Sequence, residues 1–183
     1  MNNLKNIIIM KCGTHASEKI EDIFKRKKEE EQKNGYIYWG YGGTLCHPLN
    51  QAQPFCNYNE KVYLLLTPTN SELNNEPKKS KYFSINNKTW KNIDTNVNVY
   101  GSKYALVIKN LQKCDFEIDL SNYEIAIGNS KGKNLADYLN GRVDKACAIK
   151  RKYSNLSTEL KKIKIVMIAE LINPYSVFVK EEL

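Results

Sequence analysis

The side chains best suited to nucleophilic attack, proton transfer near neutral pH or soft-metal binding are two histidines and five cysteines: Cys12, His15, Cys46, His47, Cys56, Cys114 and Cys147. Cys12 and His15 form a C-x-x-H pair, and Cys46 or His47 with Cys56 would complete four ligands of the kind zinc takes. Strong zinc patterns consist of two tightly spaced pairs, whereas Cys46 and Cys56 stand ten apart with Pro48 and Pro54 between them, so no metal is expected. A cysteine nucleophile with a histidine base is the other chemistry these residues could do. The neighbours Cys46 and His47 point apart on an extended chain, so such a pair must be assembled in space, for example Cys12 or Cys46 with the other histidine. No family signature surrounds any cysteine. No catalytic residue is therefore assigned, and a Cys/His-dependent hydrolase or transferase is the alternative to a binding function.

A recognition chemistry is written more densely. From Tyr36 to Asn59 the chain runs 24 residues without a charge, although 26% of the protein is charged. The core of this stretch is Tyr36, Tyr38, Trp39, Gly40, Tyr41, Gly42 and Gly43, followed by His47. On a strand, Tyr36 and Tyr38 share one face and Trp39 takes the other, which makes a surface of rings available. The glycines would let backbone approach a planar ligand, and bases stack on such rings for about 1–3 kcal/mol each. The same residues would equally build a core strand that ends in a glycine turn.

The segment from Gly128 to Asn134, GNSKGKN, follows an expected strand and opens an expected helix. Two glycines, Lys131, Lys133 and backbone amides at a helix start make a phosphate cradle of it, with Arg142 nearby in sequence. It is not a P-loop, because three residues rather than four separate the glycines and Asn134 stands where a Ser or Thr is required. A plain strand-to-helix turn is the competing reading.

The elements that must position these groups are mostly strands. Expected strands cover Lys5–Met10, Tyr36–Trp39, Lys61–Thr67, Lys81–Asn86, Lys103–Lys109, Tyr123–Gly128 and Ile163–Ile172, with a hairpin turn at Asn86-Asn87. A helix capped by Ser17 runs to the Asn34-Gly35 stop, with Ile20, Ile23 and Phe24 as a thin apolar face and charge all round beyond it. Leu135, Tyr138, Leu139, Val143 and Ala146 recur at helical spacing and predict a second helix over Asn134–Cys147, weakened at Gly141. Pro68 to Ser80 reads as a surface loop. Together these predict an α+β fold, a single domain over residues 1–183, built on a mostly antiparallel curved sheet or partly closed barrel with two or three helices.

Composition narrows the setting. An odd number of scattered cysteines is not a disulfide framework, and no apolar run approaches the length of a membrane span or a signal peptide, so a cytoplasmic protein without a membrane partner is expected. Lysine far outnumbers arginine, and Asn, Ile and Tyr are abundant, a pattern of AT-rich genomes that supplies some of the net charge of +8 whatever the function. The charge is uneven: Lys61 to Lys113 hold nine lysines against Glu72, Glu76 and Asp94. An acidic block of Asp115, Glu117, Asp119 and Glu124 follows, then seven cations against Asp137 and Asp144 up to Lys152. Basic blocks of this kind favour polyanions such as RNA, DNA or nucleotides.

The strings KCGTH at 11–15, YWGYGG at 38–43, GSKYA at 101–105 and GRVDKAC at 141–147 resemble small uncharacterised proteins of prophages and mobile elements in AT-rich bacteria. That resemblance implies an inhibitor of host defence of the anti-CRISPR kind, which grips nucleic acid or blocks a nuclease. It implies no catalytic residues. The strand count and aromatic cluster also look like the small barrels that cage one base, as in PUA-like domains. The expectation is thus a non-enzymatic binding protein for RNA, a nucleotide or a ribonucleoprotein effector complex, without a cofactor. Its ligand contacts would be Tyr36, Tyr38, Trp39, Tyr41, His47, Lys131, Lys133 and Arg142. Direct docking of the neutral aromatic stretch on a protein is a third reading.

Overall fold

In a computed structural model, residues 4–15, 17–42, 52, 60–73, 78–139, 145–152 and 161–183 are described. The strand β1 (Asn6–His15) carries Ile7, Ile8 and Ile9 directly after Asn6, a β-branched run buried on both faces, as suits the interior of a sheet. It lies between β3 (Val62–Leu73), to which it is parallel, and β8 (Lys145–Lys150), to which it is antiparallel. The remaining strands are β2 (Ile37–Tyr41), β4 (Tyr82–Ser84), β5 (Lys91–Asn92), β6 (Tyr104–Asp119), β7 (Tyr123–Ile125) and β9 (Lys162–Lys180). The order is β2-β6-β9-β3-β1-β8-β7, with β4 pairing β9 and β5.

The fold is therefore mixed, with a large and mostly antiparallel sheet that is curved and open: among the described residues β2 and β7 end its main path and β5 is the outer strand of its side hairpin. Curvature has a local cause. The long pair β6 and β9 shifts register between Leu106 and Ile108, Lys109 and Gln112, and Lys113 and Phe116, and each extra residue bends the strand that carries it. At the middle shift Asn110 turns to φ 55°, and its N–H and that of Leu111 both donate to Glu31 Oε1 of the helix.

That helix, α1 (Ile20–Asn34), carries the chain across one face of the sheet from β1 to β2, burying Ile23 with Ile8, Ile37 and Leu64. Gly35 ends it at φ 75° with its N–H on Glu31 O at 2.8 Å, as the Asn34-Gly35 stop anticipates. The start differs. Because β1 runs on to His15, Ser17 (φ 63°) belongs to a tight turn in which His15 and Glu18 exchange backbone bonds, and Lys19 stands at the N-cap without a side-chain cap. On the opposite face of β1, β3 and β8, a 3-10 turn (Leu120–Asn122) and the short helix α2 (Leu135–Tyr138) cover Ile7, Ile9 and Leu65. Over the reverse side of β2, β6 and β9, Ile93, Val97 and Val99 pack on Tyr38, Val107 and Val177.

Two expected elements change identity. The helix over Asn134–Cys147 is confined to Leu135–Tyr138, and Lys145–Lys150 is a strand, because Ala146 and Ala148 pair with Ile9 and Ile7 in a ladder that buries both faces. Residues 140–144, with Gly141 and Arg142, lie outside the described residues. The expected loop from Pro68 is instead the continuation of β3 as far as Leu73, paired beside β1. The Asn86-Asn87 turn is present: Asn87 is left-handed at φ 58°, and Asn86 Oδ1 accepts from the N–H groups of Lys88 and Thr89 at 2.9 Å each. No described helix is long and apolar enough to cross a membrane.

Candidate functional site

Where the second halves of β1 and β2 face α1 and the segment Asn98–Ser102, the surface opens into a cleft of about 390 Å³. Three rings, Trp39, Tyr41 and Tyr100, line it with the backbone of Gly13, Gly40, Gly42 and Gly101. Four cationic side chains also line it, Lys11, Arg26, Lys27 and Lys145, and no carboxylate does among the described residues.

The wall opposite β1 is held by an ion pair buried inside the fold. Lys27 and Glu30 are 4% and 2% exposed, positions that continue the stripe of Ile20 and Ile23 down α1. The Lys27 ammonium spends its three donors on Tyr38 O (2.6 Å), Asn98 O (2.5 Å) and the Glu30 carboxylate (3.1 Å). Glu30 accepts in turn from the N–H groups of Tyr38 (3.4 Å) and Asn98 (3.1 Å). The pair thus stands where a neighbouring strand would, joining the outer edge of β2 to the 98–102 segment and satisfying both backbones. Burial lowers the Lys27 pKa to about 8, against the opposing pull of Glu30.

Since Tyr38 directs its N–H and C=O outward from β6, alternation along an antiparallel edge directs those of Gly40 outward as well. There the 98–102 segment comes so close that a Cβ on residue 40 would meet Ser102 Oγ at 2.3 Å and Val99 Cγ1 at 3.1 Å, so the position has room only for glycine.

Arg26, the residue before Lys27 on α1, also lines the cleft. Its guanidinium makes a fork-like pair with Glu18 at 2.8 and 2.7 Å and lies 5.8 Å from the centre of the Tyr100 ring. The hydrogen bond from Arg26 holds the Glu18 carboxyl below its ordinary range, and the bond to Glu18 raises Arg26. On the far side, Lys145 of β8 donates to Gly42 O at the end of β2 and places its ammonium 5.2 Å from the Tyr41 ring centre. From Tyr41 the rings continue to Tyr104 (5.4 Å) and Phe178 (5.6 Å), and Tyr41 shares a 2.9 Å hydrogen bond with Ser176.

The expected contacts divide. Trp39 and Tyr41 line the cleft, although they are only 9% and 6% exposed. Tyr36 and Tyr38 do share a face, 5.5 Å apart, but that face packs on Phe83 and the valines around Val97, and Tyr38 is 4% exposed. Both faces of β2 are core, so its rings form no open stacking surface. Lys131 and Lys133 are exposed and lie off the cleft. Their loop is not an amide cradle, because the N–H groups of Lys131, Gly132 and Lys133 already donate to Gly128 O, Ile125 O and Ser130 O, and Ala136 N donates to Asn134 Oδ1. The helix beyond it is a single turn. His47 and Arg142, like Cys46 and Cys56, lie outside the described residues.

Cys12 and His15 both line the cleft. Burial pushes the Cys12 thiol up to about 11, which keeps it protonated near neutral pH, the form that attacks poorly. No group of three or more His, Cys, Asp or Glu among the described residues could hold a metal ion. Sequence reasoning missed Lys27, Glu30, Arg26, Tyr100 and Lys145. A signal existed for the first two: at i+7 and i+10 from Ile20 they occupy the apolar stripe of α1 and mark a buried pair. For Tyr100 and Lys145 there was none, since each reaches the cleft through long-range strand order. No family model, curated protein or solved structure matches this chain.

Proposed function

We propose that the protein is a non-enzymatic binding module whose cleft takes a nucleotide, free or carried on RNA. The observation that carries this reading is the composition of the cleft wall: three rings and four cations with no carboxylate among the described lining residues, in a volume within the range of small-ligand sites. Of the three rings only Tyr100, half-buried, has a face to offer a base, the outward N–H and C=O of Gly40 offer one donor and one acceptor to its edge, and Lys145 suits a phosphate. The Lys145 bond to Gly42 across the cleft supports the finer picture of a partly closed barrel that cages one base. In this reading the RNA belongs to a ribonucleoprotein of host defence, and the protein acts as its phage-borne inhibitor; the support is the resemblance of the four strings in the first two thirds of the chain and beyond.

The test is titration with the four nucleoside monophosphates and the matching nucleosides at low salt, read by Trp39 fluorescence in a Trp90→Phe background. Saturable quenching by at least one monophosphate, weaker for its nucleoside and weaker again in Lys145→Gln, is expected. No saturable signal with any monophosphate up to about 1 mM, the weak end of specific binding, refutes the reading.

A further inference from the structure

One dense block of positive charge lies beside the cleft. Several cations elsewhere are ion-paired: Lys5 with Glu60, Lys28 with Glu31, Lys61 with Glu170, Lys164 with Asp115 and Arg151 with Glu124. From Lys78 to Lys103, by contrast, six lysines stand against one carboxylate, Asp94. Lys81, Lys88, Lys91 and Lys103 are exposed, and among the described residues none has a carboxylate within ion-pair distance.

The hairpin β4–β5 brings these groups together. Lys91 is opposite Phe83, Lys81 N–H donates to Lys180 O of β9, and Val179 N–H donates to Lys103 O, so three strands present their lysines at one rim. Within that rim Trp90 carries the Lys180 ammonium 3.9 Å from its ring centre, and Ile85 beside the turn is 54% exposed, one of only two large apolar side chains so open among the described residues. The rim is continuous with the cleft. Gly101 and Ser102 line the cleft, Lys103 follows them directly, and Gly101 N–H donates to Lys78 O.

We infer that the ligand is a single-stranded nucleic acid rather than a free nucleotide: one nucleotide enters the cleft while the adjoining phosphodiester backbone runs over Gly101–Lys103 onto Lys81, Lys88 and Lys91 of the hairpin. This rests on the nucleotide reading of the cleft. The chemistry is that of sequence-tolerant strand binding, in which a run of cations tracks the phosphates and aromatic rings take the bases. Amide groups of Asn86, Asn87 and Asn92, placed between the lysines, add donors suited to phosphate and sugar oxygens.

The experiment compares a labelled RNA of about ten nucleotides with a mononucleotide, over a series of salt concentrations, in the wild type and in the triple variant Lys81→Gln, Lys88→Gln, Lys91→Gln. The wild type should bind the RNA more tightly than the mononucleotide. In the triple variant RNA binding should weaken at least about tenfold at low salt, and the slope of log affinity against log salt should flatten by about two, from roughly 0.7 per lost phosphate contact. Mononucleotide affinity and thermal midpoint should not change, since the three lysines are exposed and off the cleft.

Unchanged RNA affinity and slope in the triple variant overturn the inference and leave the cleft reading intact. So does loss of RNA binding in Lys131→Gln with Lys133→Gln but not in the triple variant, which would route the backbone over the other basic loop. RNA binding that needs the hairpin lysines, without mononucleotide binding at any concentration, refutes the cleft reading and supports the rim alone. Vesicles containing phosphatidylserine serve as the rival polyanion: preference for them over RNA, lost in the triple variant, overturns the inference.

Discussion

Replacing Lys27 by Met tests whether the buried ion pair of α1 holds the cleft wall. Methionine keeps the length and apolar stem of lysine, so packing changes little, while Tyr38 O and Asn98 O lose their donor and Glu30 is left 2% exposed with no cation. Removing one partner of a buried pair costs about 3–5 kcal/mol, because the remaining charge stays desolvated. For a chain of this size, each kcal/mol lowers the thermal midpoint by roughly 2–4 °C, so a fall of roughly 8–16 °C is expected for a loss of about 4 kcal/mol. Calorimetry measures it, and hydrogen exchange localises it: the amides of Tyr38 and Asn98, both bonded to Glu30, should lose protection before those of Ile8 or Leu64 at the centre of the sheet.

The Glu30→Gln variant and the double variant separate charge from hydrogen bonding. Glutamine keeps an acceptor for one backbone N–H, so if the lone charge dominates, Lys27→Met with Glu30→Gln should be more stable than Lys27→Met alone, and the double-mutant cycle should show a coupling of about 1–3 kcal/mol. A midpoint within about 2 °C of wild type in Lys27→Met, corresponding to less than about 1 kcal/mol, would refute the reasoning. So would strictly additive single effects.

Two further outcomes follow from the same geometry. Gly40→Ala puts a Cβ at 2.3 Å from Ser102 Oγ and forces the 99–102 segment outward, so it should cost about 1–3 kcal/mol in stability and weaken nucleotide binding, with partial recovery in a Ser102→Gly background; wild-type stability in Gly40→Ala would contradict the close approach. The stability profile in alkali has a definite sign. With the Lys27 pKa lowered from 10.5 to about 8, the unfolded chain binds more protons above pH 8, so stability from this group rises with pH, by at most about 1.4 kcal/mol per unit. Cys12, raised from 9.0 to about 11, acts oppositely above pH 9, where the unfolded thiol ionises and the folded one does not. Thermal midpoints should therefore climb between about pH 8 and 9 and flatten above it, with the flattening reduced in Cys12→Ala; a midpoint that falls between pH 8 and 9 would count against the assignment to Lys27.

What local sequence could reveal, it largely did. Gly35 and Asn87 take left-handed backbone for which glycine and asparagine are the suitable residues, and both turns were legible. The strand at Tyr36–Trp39, with Tyr36 and Tyr38 on one face and Trp39 on the other, was legible, but not that both faces would be covered, since the second cover comes from Ile93–Val99, more than fifty residues away in sequence. Lys145–Lys150 shows the same limit. Its alanines fit a helix by spacing and propensity, and only the vacant side of β1 makes them a strand. The cleft was half legible: Trp39, Gly40, Tyr41 and Gly42 were singled out for it, but as a ring surface on their own strand. The cations that complete it arrive from α1 and β8, and their contact with β2 depends on the curvature that the β6–β9 register shifts impose.

The carboxylates beside the cleft serve its wall. Glu18 and Glu30 stand behind the wall, each holding one cation, and neither lines the space itself. A hydrolase or transferase needs a base or nucleophile poised to change protonation state in the site. Here Cys12 is pushed away from ionisation and Lys27 has all three donors committed to the fold, which leaves His15 as the cleft residue suited to proton transfer. What the cleft does present is fixed: rings, outward backbone groups of a glycine that admits no side chain, and charge of one sign. Such a surface discriminates by shape and by charge, and Gly101 and Ser102 connect it to Lys103 and the hairpin rim. A ligand that used only the cleft would leave that continuation without a purpose, whereas a strand of nucleic acid uses both.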